Sequence, residues 1–213
     1  MKRLVSGIML VLLLWSIFIV VSNVVYAELW SQEVKLCANA GLGDLEVFLN
    51  KLFVFGSDDK SELFYKVYDG LSWSDMIRIT FDDYPDVHPD VAVYNNRLYV
   101  SWFSMRDGQY AWDIYLMTFN GTNWTTPQRL TTNPGVDDHP SLTSYRGKLW
   151  LFWTSDMEGP FGIYYMSFDG LKWSSPYRLA DGLHPSSAVF NDKLYVAWYS
   201  GPYVYVKIYD GYS

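Results

Sequence analysis

A motif that recurs about every 50 residues constrains the fold of this chain more than any other feature of its sequence. In each copy a tryptophan follows a turn glycine by three residues, and an arginine follows the tryptophan by five. The copies are Asp69-Gly70-Leu71-Ser72-Trp73, Asn120-Gly121-Thr122-Asn123-Trp124 and Asp169-Gly170-Leu171-Lys172-Trp173. Self-similarity at this period is typical of propellers, solenoids and other repeat arrays.

His-Pro dipeptides form a second repeated feature, and all three histidines of the protein occur in them. A tryptophan follows each histidine by 14 residues, which pairs His88 with Trp102, His139 with Trp153 and His184 with Trp198. The first repeat, which starts near residue 42, is weaker because it has no histidine and has Phe55 in the place of the tryptophan.

Each repeat has the sequence pattern of four β-strands. In the third copy we expect strands over 141–145, 148–154, 162–168 and 173–179, with Asp169-Gly170 as the hairpin turn before the last one. Aromatic residues make up 19% of the chain and favour β structure, and no stretch beyond residue 40 has a sustained helical period. The sequence therefore predicts an all-β protein, a β-propeller of about four four-stranded antiparallel blades over residues 42–213.

The last repeat raises the question of how the propeller closes. It reads Asp210-Gly211-Tyr212-Ser213 and stops one residue before the position of the repeat tryptophan, which predicts an incomplete propeller. The alternative is closure by an N-terminal strand in residues 28–41, because Trp30-Ser31 and Lys35-Leu36 match the outline of a fourth strand. Without closure, open blade edges would favour self-association of the chain.

The first 27 residues indicate export from the cytoplasm. Basic residues at Lys2 and Arg3 precede an apolar run over 4–21, and a small-residue cleavage site follows at Val25-Tyr26-Ala27, as in a signal peptide. The apolar run is also long enough to remain as an uncleaved membrane anchor, which would be the only contact with a membrane. Under both interpretations residues 28–213 lie outside the cytoplasm, secreted or at the cell surface.

Charge and cysteine content exclude several classes of protein. A net charge of −7 argues against a nucleic-acid partner, since phosphate binding needs a basic face. The single cysteine, Cys37, excludes an internal disulfide framework and any site with several cysteine ligands.

The three histidines are the first candidates for a binding site. If the first strand of each blade lines the central channel, then His88, His139 and His184 converge near the axis, where they could bind a divalent metal ion. The alternative is that His-Pro is a structural element that fixes the turn into the first strand, because repeats copy structural residues as readily as functional ones. The sequence predicts no other cofactor.

Aromatic residues in loops outside the repeat pattern are the second set of candidates. Tyr110, Trp112 and Phe161 offer flat faces that could stack on sugar rings or on the side chains of a partner. The alternative is that these rings only cover blade edges. No catalytic residue is assigned, because the repeats single out no pair of carboxylates of the kind that glycosidases use.

Two known families resemble these repeats. Asp137-Asp138-His139-Pro140, Trp153-Thr154-Ser155-Asp156 and Ile163-Tyr164-Tyr165-Met166 resemble the WD-like repeat of TolB-type propellers. The segment from Ser167 to Trp173 resembles the aspartate box of sialidase-like propellers, although it lacks the residue that this box places between aspartate and glycine. Both resemblances imply a propeller, and the second one implies glycoside hydrolysis.

The sequence as a whole predicts an exported propeller that binds an extracellular glycan or protein as a non-catalytic scaffold module. The alternative is a sialidase-like glycoside hydrolase or a fragment of one. A third possibility is a structural module that a metal ion stabilises.

Overall fold

The computed structural model describes residues 33–41, 43–106 and 112–212. The chain divides into two units, residues 1–36 and 37–213, and the repeats lie in the second. The predicted signal segment over 1–27 falls outside the described residues and stays a prediction. No helix in the described ranges is long and apolar enough to span a membrane.

Antiparallel strands in the described residues form four sheets that follow one another along the chain, and these sheets are the blades. Blade 1 comprises β1 (Leu45–Phe48), β2 (Lys51–Ser57), β3 (Leu63–Tyr68) and β4 (Ile77–Arg78). Blade 2 comprises β5 (Asp86–Tyr94), β6 (Arg97–Ser104), β7 (Asp113–Phe119) and β8 (Gln128–Arg129). Blade 3 comprises β9 (Asp137–Tyr145), β10 (Lys148–Ser155), β11 (Gly162–Phe168) and β12 (Tyr177–Asp181). Blade 4 comprises β13 (Leu183–Phe190), β14 (Lys193–Ser200) and β15 (Tyr203–Tyr209).

The predicted all-β architecture of antiparallel blades is confirmed, and two strand boundaries in the third repeat differ from expectation. The first strand begins at Asp137 rather than at residue 141, because the chain continues the ladder through a β-bulge. The fourth strand begins at Tyr177 rather than at Trp173, which makes only an isolated bridge with Phe168. Pro176 explains this delay, since proline cannot donate a ladder hydrogen bond.

The proposed closing strand over 28–41 falls partly outside the described residues. Residues 33–40 contain no strand, and Gly41 makes only an isolated bridge with Ser57. The described part of this segment therefore lacks the strand that the sequence suggested.

Large apolar side chains from facing blades form the core. Leu149, Leu151 and Trp153 of β10 pack with Tyr99 and Ile114 of blade 2 in one buried cluster. Equivalent clusters join blade 1 to blade 2 and blade 3 to blade 4. Because each blade buries one face on the next, the strand ends of successive blades are brought to a common edge.

The repeat tryptophans are fixed by buried hydrogen bonds in the two middle blades. Nε1 of Trp102 donates to Oδ1 of Asp86 at 2.8 Å, and Nε1 of Trp153 donates to Oδ1 of Asp137 at 3.0 Å. All four side chains are fully buried. Burial raises the pKa of both carboxyls despite these hydrogen bonds. The two aspartates therefore serve packing inside the blades.

Candidate functional site

Each His-Pro dipeptide forms a β-bulge at the start of the first strand of its blade. In blade 3, Thr154 pairs with Asp138 and Phe152 pairs with Ser141, so that two residues oppose Trp153 alone. Blades 2 and 4 have the same irregularity in register. This arrangement explains the constant spacing of 14 residues between histidine and tryptophan. Bulges bend the strand and re-aim a side chain, which is why they are common beside functional sites.

All three histidines have a left-handed backbone conformation, with φ of 53° at His88, 48° at His139 and 51° at His184. Positive φ is uncommon for residues other than glycine, although histidine is among those that tolerate it. The backbone N–H of His184 donates to Oγ1 of Thr154 at 2.9 Å, which secures the corner between blades 3 and 4. The chain accepts an unfavourable conformation three times in order to present an imidazole at the same place in successive blades.

The three imidazoles form a continuous row. The ring centroids of His88 and His139 lie 4.8 Å apart, and those of His139 and His184 lie 3.6 Å apart with nearly parallel planes. Phe103 lies 5.3 Å from both His88 and His139, and Tyr199 contacts His184 edge-on at 5.2 Å. The prediction that the histidines converge is therefore confirmed by the geometry, while their role stays a prediction.

These histidines line a pocket of about 230 Å³ at the edge where the first strands of all four blades begin. Its other walls come from the residues beside the bulges, which are Gly43, Asp44, Pro89, Asp90, Pro140, Ser141, Pro185 and Ser186. His88 and His184 are exposed at the pocket, and His139 is half-buried between them. We call this cavity the axial pocket.

One position of the axial pocket repeats in all four blades and carries two carboxyls and two hydroxyls. The residues at this position are Asp44, Asp90, Ser141 and Ser186. A side-chain oxygen of the first three accepts a hydrogen bond from a backbone N–H of the next blade. The donors are Val91 at 3.2 Å, Leu142 at 2.6 Å and Ser187 at 3.1 Å. These hydrogen bonds tie each blade to its successor at the axis.

Asp44 and Asp90 form a carboxyl pair within this ring of residues. Both side chains are half-buried, and they lie within hydrogen-bonding reach of each other. Burial, followed by the adjacent Asp44 carboxyl, holds the pKa of Asp90 well above its ordinary value. Two carboxyls in contact cannot both ionise readily, so Asp90 retains a proton that a bound molecule could receive.

The histidines favour their neutral form at this edge. Burial, followed by the charge of neighbouring imidazoles, lowers the pKa of His88 and of His184. A neutral imidazole can act as a hydrogen-bond acceptor or as a metal ligand.

Asp138, His139 and His184 could hold a divalent metal ion. Their ligand atoms all lie within 4.8 Å of one another. Nδ1 of His139 lies 3.0 Å from Oδ1 of Asp138, yet neither buried atom makes a hydrogen bond with the described residues. Imidazole nitrogen with carboxylate oxygen is a ligand set that suits zinc and related ions. The expected metal site thus has a suitable donor set, and metal binding stays a prediction.

The predicted aromatic candidates do not converge as the histidines do. Trp112 is half-buried and packs edge-to-face on Phe103 at 5.0 Å, which places it behind the row of imidazoles. Phe161 is 41% exposed in the loop before β11. Tyr110 belongs to the segment outside the described residues. The aromatic stacking role of these residues is untested.

Sequence reasoning missed the carboxyl pair. Asp44 stands in the weak first repeat and Asp90 directly follows a His-Pro dipeptide, so both were hidden by attention to the histidines. The usable signal was the residue after each His-Pro, which alternates between acid and serine among the copies.

Blades of this kind, tied together at a shared axial edge, define a β-propeller, and comparison with known proteins agrees. No protein-family model and no curated protein matches the chain. Solved structures do match. A Trypanosoma rangeli sialidase mutant with trans-sialidase activity superposes with a TM-score of 0.62 at 16% identity, over 81% of this chain and 36% of that one.

Two further structures extend the comparison. An α-L-arabinofuranosidase from Fusarium graminearum has a TM-score of 0.62 at 15% identity, over 81% of this chain and 63% of that one. A family 117 glycoside hydrolase from Zobellia galactanivorans has a TM-score of 0.57 at 11% identity, over 79% and 65%. The chain thus spans about a third of the sialidase and less than two thirds of these other enzymes. At such identities the likeness shows the fold, which supports the sialidase-like resemblance, whereas the TolB-type resemblance is supported by its sequence motifs alone.

Proposed function

We propose that the chain is a propeller of the glycoside-hydrolase type, which takes a saccharide into the axial pocket and cleaves a glycosidic bond there. The observation that carries this proposal is the pair of carboxyls, Asp44 and Asp90, beside three imidazoles in one pocket. The structural neighbours favour this alternative over a purely non-catalytic scaffold, since they are sialidases and arabinofuranosidases by name.

Asp90 has the properties of a general acid in this proposal. Its raised pKa keeps a proton on the carboxyl near neutral pH, and glycosidases need such a group to protonate the leaving oxygen. A second carboxylate must then act as base or nucleophile. Asp138 is the residue that we assign to this role, because it lies beside His139 and His184 at the same edge.

The place of action in this proposal is outside the cytoplasm, on an extracellular glycan. Support comes from the signal-like segment over 1–27, which has a basic start, an apolar run and a small-residue site. Anchoring to a membrane would require that this segment remain uncleaved.

The test is turnover of a panel of chromogenic glycosides by the full chain and by Asp90→Ser. Serine is the natural residue at this position in blades 3 and 4, and at Ser141 it accepts the inter-blade hydrogen bond, so the variant should fold. Loss of a general acid lowers the rate by about 10²–10⁴-fold. Ser141→Ala is the matched control, since it removes the equivalent inter-blade hydrogen bond and should keep turnover.

Two outcomes would overturn this assignment. Turnover that survives in Asp90→Ser would exclude Asp90 as the acid. Turnover lost equally in Ser141→Ala would mean that the inter-blade hydrogen bonds, rather than the carboxyl, explain the effect.

A second function is favoured by one specific observation. Catalytic carboxyls of glycosidases stand about 5–9.5 Å apart, whereas Asp44 and Asp90 are in direct contact and both accept backbone hydrogen bonds. Under this alternative the axial pocket binds a glycan or protein without cleaving it. A glycan and protein array probed with the full chain would then give binding that His184→Ala abolishes, while no glycoside is hydrolysed.

A further inference from the structure

The repeat tryptophan of blade 2 fills a gap between two blades. The ring of Trp124 stacks on Phe119 of its own blade at 4.9 Å. It also contacts two rings of blade 1, Tyr65 at 5.8 Å and Phe55 at 6.1 Å. The tryptophan thereby completes the aromatic layer between blades 1 and 2.

The repeat tryptophan of blade 3 does the same at the next interface. Trp173 lies 5.3 Å from Phe168, and Phe168 in turn contacts Tyr94 and Tyr99 of blade 2. Trp173 also packs against the buried cluster that joins the two blades.

Between blades 3 and 4 the corresponding position is a pocket of about 260 Å³. The strand registers identify the counterparts of the three rings around Trp124, and these counterparts are Phe152, Tyr165 and Tyr209. All three line the pocket, together with Trp150, Leu179 and Val196. The walls that hold an indole elsewhere are therefore present here, and we call this cavity the interblade pocket.

The sheet edge beside the interblade pocket is also open. In blades 2 and 3 the residue after the tryptophan donates a backbone hydrogen bond to the third strand, from Thr125 to Thr118 and from Ser174 to Ser167. The equivalent acceptor in blade 4 is the carbonyl of Ile208, on β15. Among the described residues β15 pairs only with β14. An unpaired edge of this length offers a row of backbone donors and acceptors to another strand.

We propose that the interblade pocket is a binding site for a tryptophan side chain, carried by an extended segment that adds to β15 as a fourth strand. The segment has the chemistry of the repeat itself, a tryptophan followed by serine or threonine. Backbone pairing with β15 supplies the strand addition, and the indole inserted between Tyr165 and Tyr209 supplies the specificity.

The test uses a synthetic peptide with the sequence of residues 169–179, which contains the tryptophan and the fourth-strand start of blade 3. Binding to the full chain is measured by calorimetry and by ¹⁹F NMR of a 5-fluorotryptophan version of the peptide. The expected result is saturable binding that weakens by about tenfold or more when the peptide tryptophan is replaced by alanine. N-Acetyl-tryptophanamide is the second probe, and it should compete with the peptide.

Two variants of the protein locate the site. Tyr165→Leu removes one wall of the interblade pocket and should weaken peptide binding by about tenfold. Tyr65→Leu is the matched control, because it changes the equivalent ring where Trp124 already fills the space, and it should leave peptide binding unchanged. Because ¹⁹F NMR reports the peptide directly, the comparison between the two peptides remains decisive even if a variant fails to fold.

Absence of binding would overturn the proposal. Equal binding of the tryptophan and alanine peptides would also overturn it, since the edge of β15 alone would then explain the association. Equal weakening by Tyr165→Leu and Tyr65→Leu would place the peptide elsewhere.

Discussion

Blades 3 and 4 have the same strand pattern, but only blade 3 is covered on both faces. Ile163 of β11 is completely buried, whereas Val204, at the equivalent place on β15, is 75% exposed. The same contrast holds for Tyr165, half-buried against Trp150 and Phe152, and Val206, which is 55% exposed. The apolar face is thus a property of the repeat, while its burial depends on a neighbouring blade.

Blade 4 also differs in how it fixes its repeat tryptophan. Gly182 stands where the middle blades have Asp86 and Asp137, and Nε1 of Trp198 donates instead to the backbone carbonyl of Asp181 at 3.0 Å. A Cβ atom at Gly182 would lie 2.3 Å from the indole, so the position has closed around glycine. The hydrogen bond is retained even where the side-chain acceptor is lost, which shows that the indole position matters more than the acid.

The largest expected effect contrasts the covered and open faces directly. Ile163→Ala should lower the free energy of unfolding by about 2–4 kcal/mol, because it opens a cavity in a fully buried site. Val204→Ala, at the equivalent exposed site, should change it by about 0.5 kcal/mol or less. Urea denaturation of the two variants and the parent chain measures both values.

Similar losses in the two variants would contradict this contrast. They would indicate that a neighbouring surface covers Val204 in solution, which leads to the second prediction.

The open face and edge of blade 4 should mediate self-association. Val204, Val206 and Ile208 form an exposed apolar row beside the unpaired edge of β15, and such edges promote association unless charges protect them. Val206→Lys should shift the chain toward the monomer and leave the free energy of unfolding within about 0.5 kcal/mol of the parent value. Sedimentation velocity over a range of concentrations measures the shift, with Lys207→Ala as a control for charge beside the same row. A parent chain that stays monomeric at every concentration would contradict the prediction.

The sequence allowed the architecture to be predicted because its period is written in residues that do local work. The Asp-Gly turn at 169–170 and the alternation through Ile163 fixed the hairpins and the strands between them. The histidines could be placed together for the same reason, since one repeat position becomes one place around an axis. The strand start at Tyr177 was missed, because strand propensity at Trp173 outweighed the effect of the proline between them.

The carboxyl pair lay beyond sequence reasoning for a different reason. Asp44 and Asp90 belong to different blades, 46 positions apart, and their contact depends on how tightly the blades pack at the axis. A period in the sequence gives the blade of each residue but gives no distance between blades. The burial that raises the pKa of Asp90 is likewise a result of packing.

The smallest expected effect concerns the turns that end the third strands of blades 3 and 4. Oδ1 of Asp169 accepts the backbone N–H groups of Leu171 and Lys172, at 2.8 and 2.9 Å, whereas Asp210 accepts only that of Tyr212 at 2.9 Å. The hydrogen bonds from Lys172 and Leu171 lower the pKa of Asp169 below its ordinary value of 3.8. Asp169→Ala should therefore destabilise the chain more than Asp210→Ala does.

Blade 2 provides the control for this prediction, since Asn120 accepts the same two hydrogen bonds at the same turn, both at 2.8 Å. Because the folded state lowers the pKa of Asp169, its ionised form adds stability above pH 3.8, and this contribution is lost as the pH falls through the folded value. Asp169→Asn keeps the two hydrogen bonds but cannot titrate, so it should melt close to the parent near neutral pH and lose less stability in acid. Thermal melts across the acid range test this difference, and an unchanged acid dependence in Asp169→Asn would show that the turn carboxylate contributes nothing to it.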